Sequence, residues 1–241
     1  MKPEIIVVTA AYGHQNVAEL GGQQALLPIV AEAGADGIEI RRELLAESEL
    51  QCLPQLAEAI AEYRLKAFYS VPDALFVEGG ALNPQLDRYL QEAEQLRAQR
   101  LKLSLGDWHP DRITPLETHG IRLVVENDQT EYGRLEAIAP FFEQQHATAG
   151  MTFDMGNWLW TGDDAVTAAR RLARHVSYIH VKAAIPHGDS WRAIALDEAD
   201  NSWRELIKLL PGDVPRGIEF PLQGNDLTAV TRHYVDLLRE E

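Results

Sequence analysis

The sequence predicts a single (β/α)8 barrel over residues 1–241, on three observations. Eight strand-like runs alternate from end to end with helical or helix-sized stretches, and the 241-residue length suits a fold that typically needs about 250. No linker, low-complexity segment or composition shift divides the chain. The competing doubly wound sheet calls for a glycine-rich loop after the first strand, and "TAAYGHQNVAELGG" contains no GxGxxG. Hydrophobic residues at 46% supply a core, and charged residues at 24% are too few for a disordered chain.

In order, the strands are "EIIVVTA" (4–10), "GIEIR" (37–41), "KAFYSVP" (66–72), "RLKLSLG" (100–106), "IRLVVEN" (121–127), "GMTFDMG" (150–156), "VSYIHVK" (176–182) and "RGIEFPL" (216–222). Between them, "SELQCLPQLAEAIAEYR", "NPQLDRYLQEAEQLRAQR" and "AVTAARRLARH" place apolar residues at helical spacing. Pro54 marks the true start of the first of these helices, because an interior proline would break it. Pro84 behind Asn83 reads as a first helical residue behind its cap. The weakest helix falls around "DRITPLETHG", where a turn or two is expected.

Composition removes several function classes. A net charge of −15 leaves no basic stripe for phosphates, so a nucleic-acid partner is not expected. No apolar run approaches the roughly 18 residues of a membrane span. The single cysteine, Cys52, forms no internal disulfide, and "MKPEIIVVTA" enters a strand with no signal-peptide core. A cytoplasmic protein is the expectation, with homo-oligomerisation left open.

Barrel enzymes build their sites at the C-terminal strand ends, so the last inward-facing residues are the informative ones. Alternation with period two puts Val124 and Glu126 on one face of strand five, and Thr152 and Asp154 on one face of strand six. Tyr178, His180 and Lys182 share a face of strand seven, and Gly217, Glu219 and Pro221 share one of strand eight. Glu39 and Arg41 end strand two, and Lys102 and Ser104 lie on strand four. The opposite faces hold Val125, Phe153, Ile179, Val181, Ile218 and Phe220, which suit surrounding helices. Any one carboxylate here could be a solvated or capping group; Asp154 could cap the turn at Gly156. Three converging on a barrel mouth need compensation by cations, Lys/Arg partners or protonation. Carboxylates plus one imidazole suit Mn²⁺, Co²⁺ or Mg²⁺ better than structural zinc, with Zn²⁺ a further candidate.

The "E-N" closing strand five, "F-D-x-G-N" closing strand six, "Y-I-H-V-K" and "I-E-F-P" resemble the xylose isomerase-like barrel superfamily. Within it they are similar to the sugar phosphate isomerase/epimerase group, with its ketose 3-epimerases and hydroxypyruvate isomerases. "GADGIEIR" and "YSVP" fit too, so the likeness spans nearly the whole chain. It implies one divalent metal ion held by Glu126, Asp154, His180 and Glu219. It also implies that Glu126 and Glu219 work as an acid/base pair on the carbon beside a carbonyl of a small polyol, ketose or sugar phosphate. Glu39, Arg41, Lys102, Asn157, Trp158 and Lys182 are the candidate substrate contacts. Lys182 and Arg41 could bind a phosphate or carboxylate, or could neutralise Glu39 and Asp154. Trp108, Trp158, Trp160 and Trp191 follow strands four, six and seven, where aromatic faces could meet sugar C–H groups.

Departures bear on the substrate. Many relatives carry a histidine where this chain has Asn157, which can hydrogen-bond a hydroxyl but cannot shuttle a proton. An aspartate after "HVK" is alanine here, and an arginine six residues past His180 is Pro186, with His187 and Arg192 nearby. Alternatives therefore stand beside the isomerase: a dehydratase on the same site, or a non-catalytic ligand-binding barrel. Endonuclease IV, which shares the barrel, needs further histidines where Glu39, Tyr69, Asn157 and Glu219 stand.

Overall fold

A computed structural model describes residues 2–112, 115–144 and 149–241. Its strands are β1 (Ile5–Val8), β2 (Gly37–Arg41), β3 (Lys66–Phe76), β4 (Arg100–Gly106), β5 (Arg122–Glu126), β6 (Gly150–Asp154), β7 (Val176–Val181), β8 (Ala183–His187), β9 (Ser190–Ile194) and β10 (Arg216–Ile218). All but β8 and β9 pair in parallel and close into a barrel in the order β1-β10-β7-β6-β5-β4-β3-β2. The predicted (β/α)8 barrel is therefore present. The helices between strands are α1 (His14–Glu19), α2 (Leu27–Glu32), α3 (Glu47–Leu50), α4 (Leu53–Glu62), α5 (Leu86–Gln95), α6 (Leu135–Glu143), α7 (Trp158–Thr161), α8 (Ala165–Leu172), α9 (Ser202–Ile207) and α10 (Leu227–Glu240). Among the described residues, no helix is long and apolar enough to cross a membrane.

The differences from the sequence reading have local causes. The first strand stops at Val8, where residues 9–12 tighten into a 3-10 turn. The eighth stops at Ile218, so Glu219 lies just beyond the ladder, its N–H donating to Val181 O at 3.1 Å. Pro54 occupies the first turn of α4, as its missing N–H requires. Pro84 precedes α5 by two residues: Asn83 Oδ1 accepts from Gln85 N at 2.9 Å and caps a turn that leads into the helix. In "DRITPLETHG", residues 113 and 114 lie outside the described residues, and the remainder carries no helix.

The period-two pattern sorts the strand side chains into two compartments. Val125, Phe153, Ile179, Val181, Ile218 and Phe220 join helix residues such as Leu90, Ile138, Leu172 and Leu238 in one core between barrel and helices. Inside the barrel, Ile6, Phe68 and Tyr178 form a small apolar plug, with Phe68 and Tyr178 edge to face at 4.9 Å. That plug is the floor beneath the polar residues of the mouth.

Gly106, at the end of β4, has φ +73°, and a Cβ there would stand 2.0 Å from Phe76 O. The left-handed backbone and the neighbouring main chain both exclude a side chain. Gly106→Ala is expected to cost about 2–4 kcal/mol, read as a fall in Tm on the order of 10 °C. An unchanged Tm would show that the β3–β4 edge can spread.

Candidate metal centre

Strands β5 and β6 are locked together just below their ends by an asparagine. Asn127 Oδ1 accepts from Asp154 N at 2.8 Å, and its Nδ2 donates to Asp154 O at 3.0 Å, continuing the ladder with a side-chain amide. Asp154 Oδ1 then accepts from Gly156 N and Asn157 N, both at 2.9 Å. The capping role that the sequence allows for Asp154 is real, and it uses only one oxygen. Oδ2 is left facing the barrel axis, 3.0 Å from Lys182 Nζ. Gly156 admits that lysine, since a Cβ would stand 2.6 Å from Lys182 Cγ.

Glu126, Asp154, His180 and Glu219 each present a ligand-type atom, and these atoms lie within 4.8 Å of one another. His180 is fully buried, and its Nε2 lies 2.8 Å from Glu39 Oε2. An ionised carboxylate only accepts, so Nε2 carries the proton and Nδ1 faces the mouth. Nδ1 is 2.8 Å from Glu126 Oε1, 3.2 Å from Glu219 Oε2 and 3.9 Å from Asp154 Oδ2. Neither Nδ1 nor Glu219 Oε2 makes a hydrogen bond of proper geometry to the described residues, although both are buried. Two buried ligand-type atoms without a well-formed hydrogen bond, with hard oxygens close by, fit a divalent cation.

Three side-chain cations already face the three carboxylates of the cluster. Lys102 Nζ pairs with Glu126 Oε2, Arg41 Nη1 with Glu219 Oε1 at 3.0 Å, and Lys182 with Asp154 Oδ2 and with Glu219 Oε2 at 2.9 Å. Burial pushes the Glu126 carboxyl up, but Lys102 and His180 outweigh it and hold it down at about 2. Burial likewise raises Glu219, and Lys182, His180 and Arg41 hold it well below the usual carboxylate range. Asp154 goes the other way, pushed up to about 7 by burial despite Lys182, with Glu219 and Glu126 adding to the rise. Burial depresses the His180 imidazole, but Glu39, Glu219 and Glu126 prevail and keep it well above its ordinary value. Glu126 and Glu219 are thus the ionised carboxylates of the mouth.

The expected substrate contacts divide. Lys182 lines a cleft of about 250 Å³ together with Ala10, Ala11, Gly13, Glu219 and Pro221, and this cleft reaches the cluster at Glu219. A larger cavity of about 410 Å³, walled by Leu159, Ile185, Trp191 and Ala199, also ends on Lys182. Arg41 is near the mouth but holds Glu219 and Glu43 rather than Glu39. Lys102 is 5% exposed and committed to Glu126. Glu39 is a correction: fully buried, it accepts from Tyr178 Oη at 2.7 Å and from His180, and has no face for a substrate. Trp158 is 0% exposed and packs on Phe153 at 5.4 Å between ring centroids, while also lining the 410 Å³ cavity. Asn157 donates from Nδ2 to Asn127 O, and its Oδ1 accepts from Gln129 Nε2 and Lys182 Nζ. Trp160 sits beside Lys182, whose Nζ is 5.9 Å from the ring centroid, and Trp108 packs on Phe141. His14, Pro186, His187 and Arg192 are exposed.

Three residues to which the sequence assigns no role position the site: Asn127, Tyr178 and Gln23. Gln23, fully buried, accepts from Arg41 N and donates to Arg41 O, both at 2.8 Å, and so fixes the arginine's main chain. The asparagine in "E-N" was the available signal for Asn127; Gln23 had none nearby in the sequence.

No family model matches the sequence, and no curated protein does. Solved structures do. The probable 3-DHS dehydratase AsbF of Bacillus anthracis superposes with a TM-score of 0.67 at 14% identity, over 98% of either chain. A xylose isomerase domain protein of Alicyclobacillus acidocaldarius gives 0.66 at 15%, again over 98% of each. The D-allulose 3-epimerase of Methylomonas sp., in complex with D-allulose, gives 0.63 at 12%, over 99% of this chain and 97% of that one. The chain has the xylose isomerase-like barrel fold. Solved structures with this xylose isomerase-like fold include epimerases and a dehydratase, and the reaction here has to be argued from the mouth residues.

Proposed function

We propose that the protein is a metal-assisted isomerase or epimerase of a small polyhydroxylated ketone or aldehyde, moving a proton at the carbon next to the carbonyl. The observation that carries this reading is the convergence of Glu126, Asp154, His180 and Glu219, with His180 Nδ1 and Glu219 Oε2 buried and making no hydrogen bond of proper geometry to the described residues. These four would hold the cation, which when bound supplies Lewis-acid polarisation of a substrate oxygen. Glu126 and Glu219 are ionised and so able to accept a proton. Their second oxygens are fixed by Lys102 and Arg41, which aims the free ones without letting the carboxylates turn. One takes the proton and the other returns it on the opposite face of the substrate. Glu39 keeps His180 in one tautomer, and the apolar plug of Ile6, Phe68 and Tyr178 closes the floor to water. The open cleft beside Lys182 suits a ketose, the ligand class of the Methylomonas epimerase.

A dehydratase is the second reading, favoured by one feature. The Lys182 ammonium stands beside Glu219 in the cleft and can donate to a departing hydroxyl. Product analysis separates the two, since only one loses water.

The test is metal content of the purified protein, thermal unfolding after chelation and re-addition of Mn²⁺, Co²⁺, Mg²⁺ or Zn²⁺, and solvent-deuterium exchange into a ketose panel. About one equivalent of metal is expected, with a stability gain near 2.7 kcal/mol at a hundredfold excess over Kd. No binding of any of these ions, with no exchange, would remove the isomerase reading and bring the non-catalytic barrel forward.

A further inference from the structure

We propose that Lys182 competes with the divalent cation, so that metal enters the site only as the lysine side chain leaves it. The inference rests on the reading above that Glu126, Asp154, His180 and Glu219 hold the cation. The oxygens facing His180 Nδ1 are Glu126 Oε1, Glu219 Oε2 and Asp154 Oδ2. Of the three cationic side chains, Lys102 and Arg41 hold the other oxygens, Glu126 Oε2 and Glu219 Oε1. Lys182 alone sits on the metal face, 3.0 Å from Asp154 Oδ2 and 2.9 Å from Glu219 Oε2. It already does the electrostatic task of a cation there, and a second positive charge drawn to the same two oxygens meets repulsion that a buried site screens poorly.

The lysine has somewhere to go. Its side chain borders both the 250 Å³ cleft and the 410 Å³ cavity, and Gly156 leaves its stem unobstructed. The Trp160 ring, 5.9 Å from Nζ, offers the displaced ammonium a cation–π face. Competition of this kind holds the three carboxylates together in the metal-free protein and sets the threshold of free metal at which the site fills.

The experiment is calorimetric titration of Mn²⁺ into wild type, Lys182→Met and Lys208→Met. Lys208 pairs with Glu205 on the surface, so its variant removes the same charge far from the mouth. Lys182→Met is expected to bind Mn²⁺ roughly tenfold tighter or more, with Lys208→Met unchanged. Equal or weaker binding by Lys182→Met overturns the competition while leaving the metal site standing. Absence of binding by both wild type and Lys182→Met sinks the competition and the metal site together. Should Lys182→Met not fold without metal, cooperative unfolding restored by Mn²⁺ supports the proposal. Failure of Mn²⁺ to restore it overturns the proposal, because the ion then cannot stand in for the ammonium.

Discussion

Glu126→Gln and Glu219→Gln, each assayed at metal concentrations that saturate the variant, lower solvent-proton exchange into the substrate by about 10²–10⁴-fold. Saturation matters because both residues are also the proposed ligands, and a glutamine amide coordinates less strongly than a carboxylate. The two carboxylates differ in access: Glu219 lies just past β10 and lines the cleft, whereas Glu126 ends β5 with its side chain 10% exposed. Glu219→Gln should also open the Arg41 pair, and Glu126→Gln the Lys102 pair, so melting is measured alongside. Exchange at the wild-type rate in either saturated variant would take that residue out of the acid/base pair.

Glu39 carries the second large effect, although it meets no substrate. Its carboxylate accepts from His180 Nε2 and Tyr178 Oη in a fully buried setting. Burial raises the Glu39 carboxyl, but the charge and hydrogen bond of His180, with Lys102 and Arg41, hold it below its ordinary value. Glu39→Leu leaves a buried imidazole and a buried phenol without their acceptor, and a loss of about 3–5 kcal/mol is expected. Glu39→Gln keeps one acceptor and the shape, so it should fold. Its signature is metal binding weakened by about 10–100-fold, because the imidazole is no longer held in one tautomer. Wild-type affinity in Glu39→Gln would mean that packing alone orients His180.

Much of this molecule is legible in its sequence, for a definite reason. A barrel strand buried on both faces reads as an apolar run, and any polar residue interrupting it at period two stands out. Glu126, Asp154, His180 and Glu219 were visible in that way, and their neighbours Val125, Phe153, Ile179 and Ile218 fell in the outer core as expected. Pairings across the mouth were not visible. Which cation meets which carboxylate oxygen depends on side-chain rotamers from strands far apart in the chain, and nothing in the sequence points Arg41 to Glu219. The burial of Trp158 is not legible, because position after a strand does not say which way a residue turns; in α7 it packs on Phe153. The β8–β9 ribbon was missed although "HGDS" is a plausible turn, because Pro186 discourages a strand reading, and proline is tolerated there only because no further strand pairs with that edge.

That ribbon bears on how the protein can be altered. Residues 183–187 and 190–194 pair with each other in a two-stranded sheet separate from the barrel, and Gly188 at the tip has φ +59°. Lys182 leads directly into the ribbon, and Ile185, Trp191 and Ala193 form walls of the adjoining cavities. Lengthening, trimming or grafting its exposed tip, residues 185–192, is therefore expected to leave the eight-strand register untouched while reshaping the cleft and cavity beside Lys182.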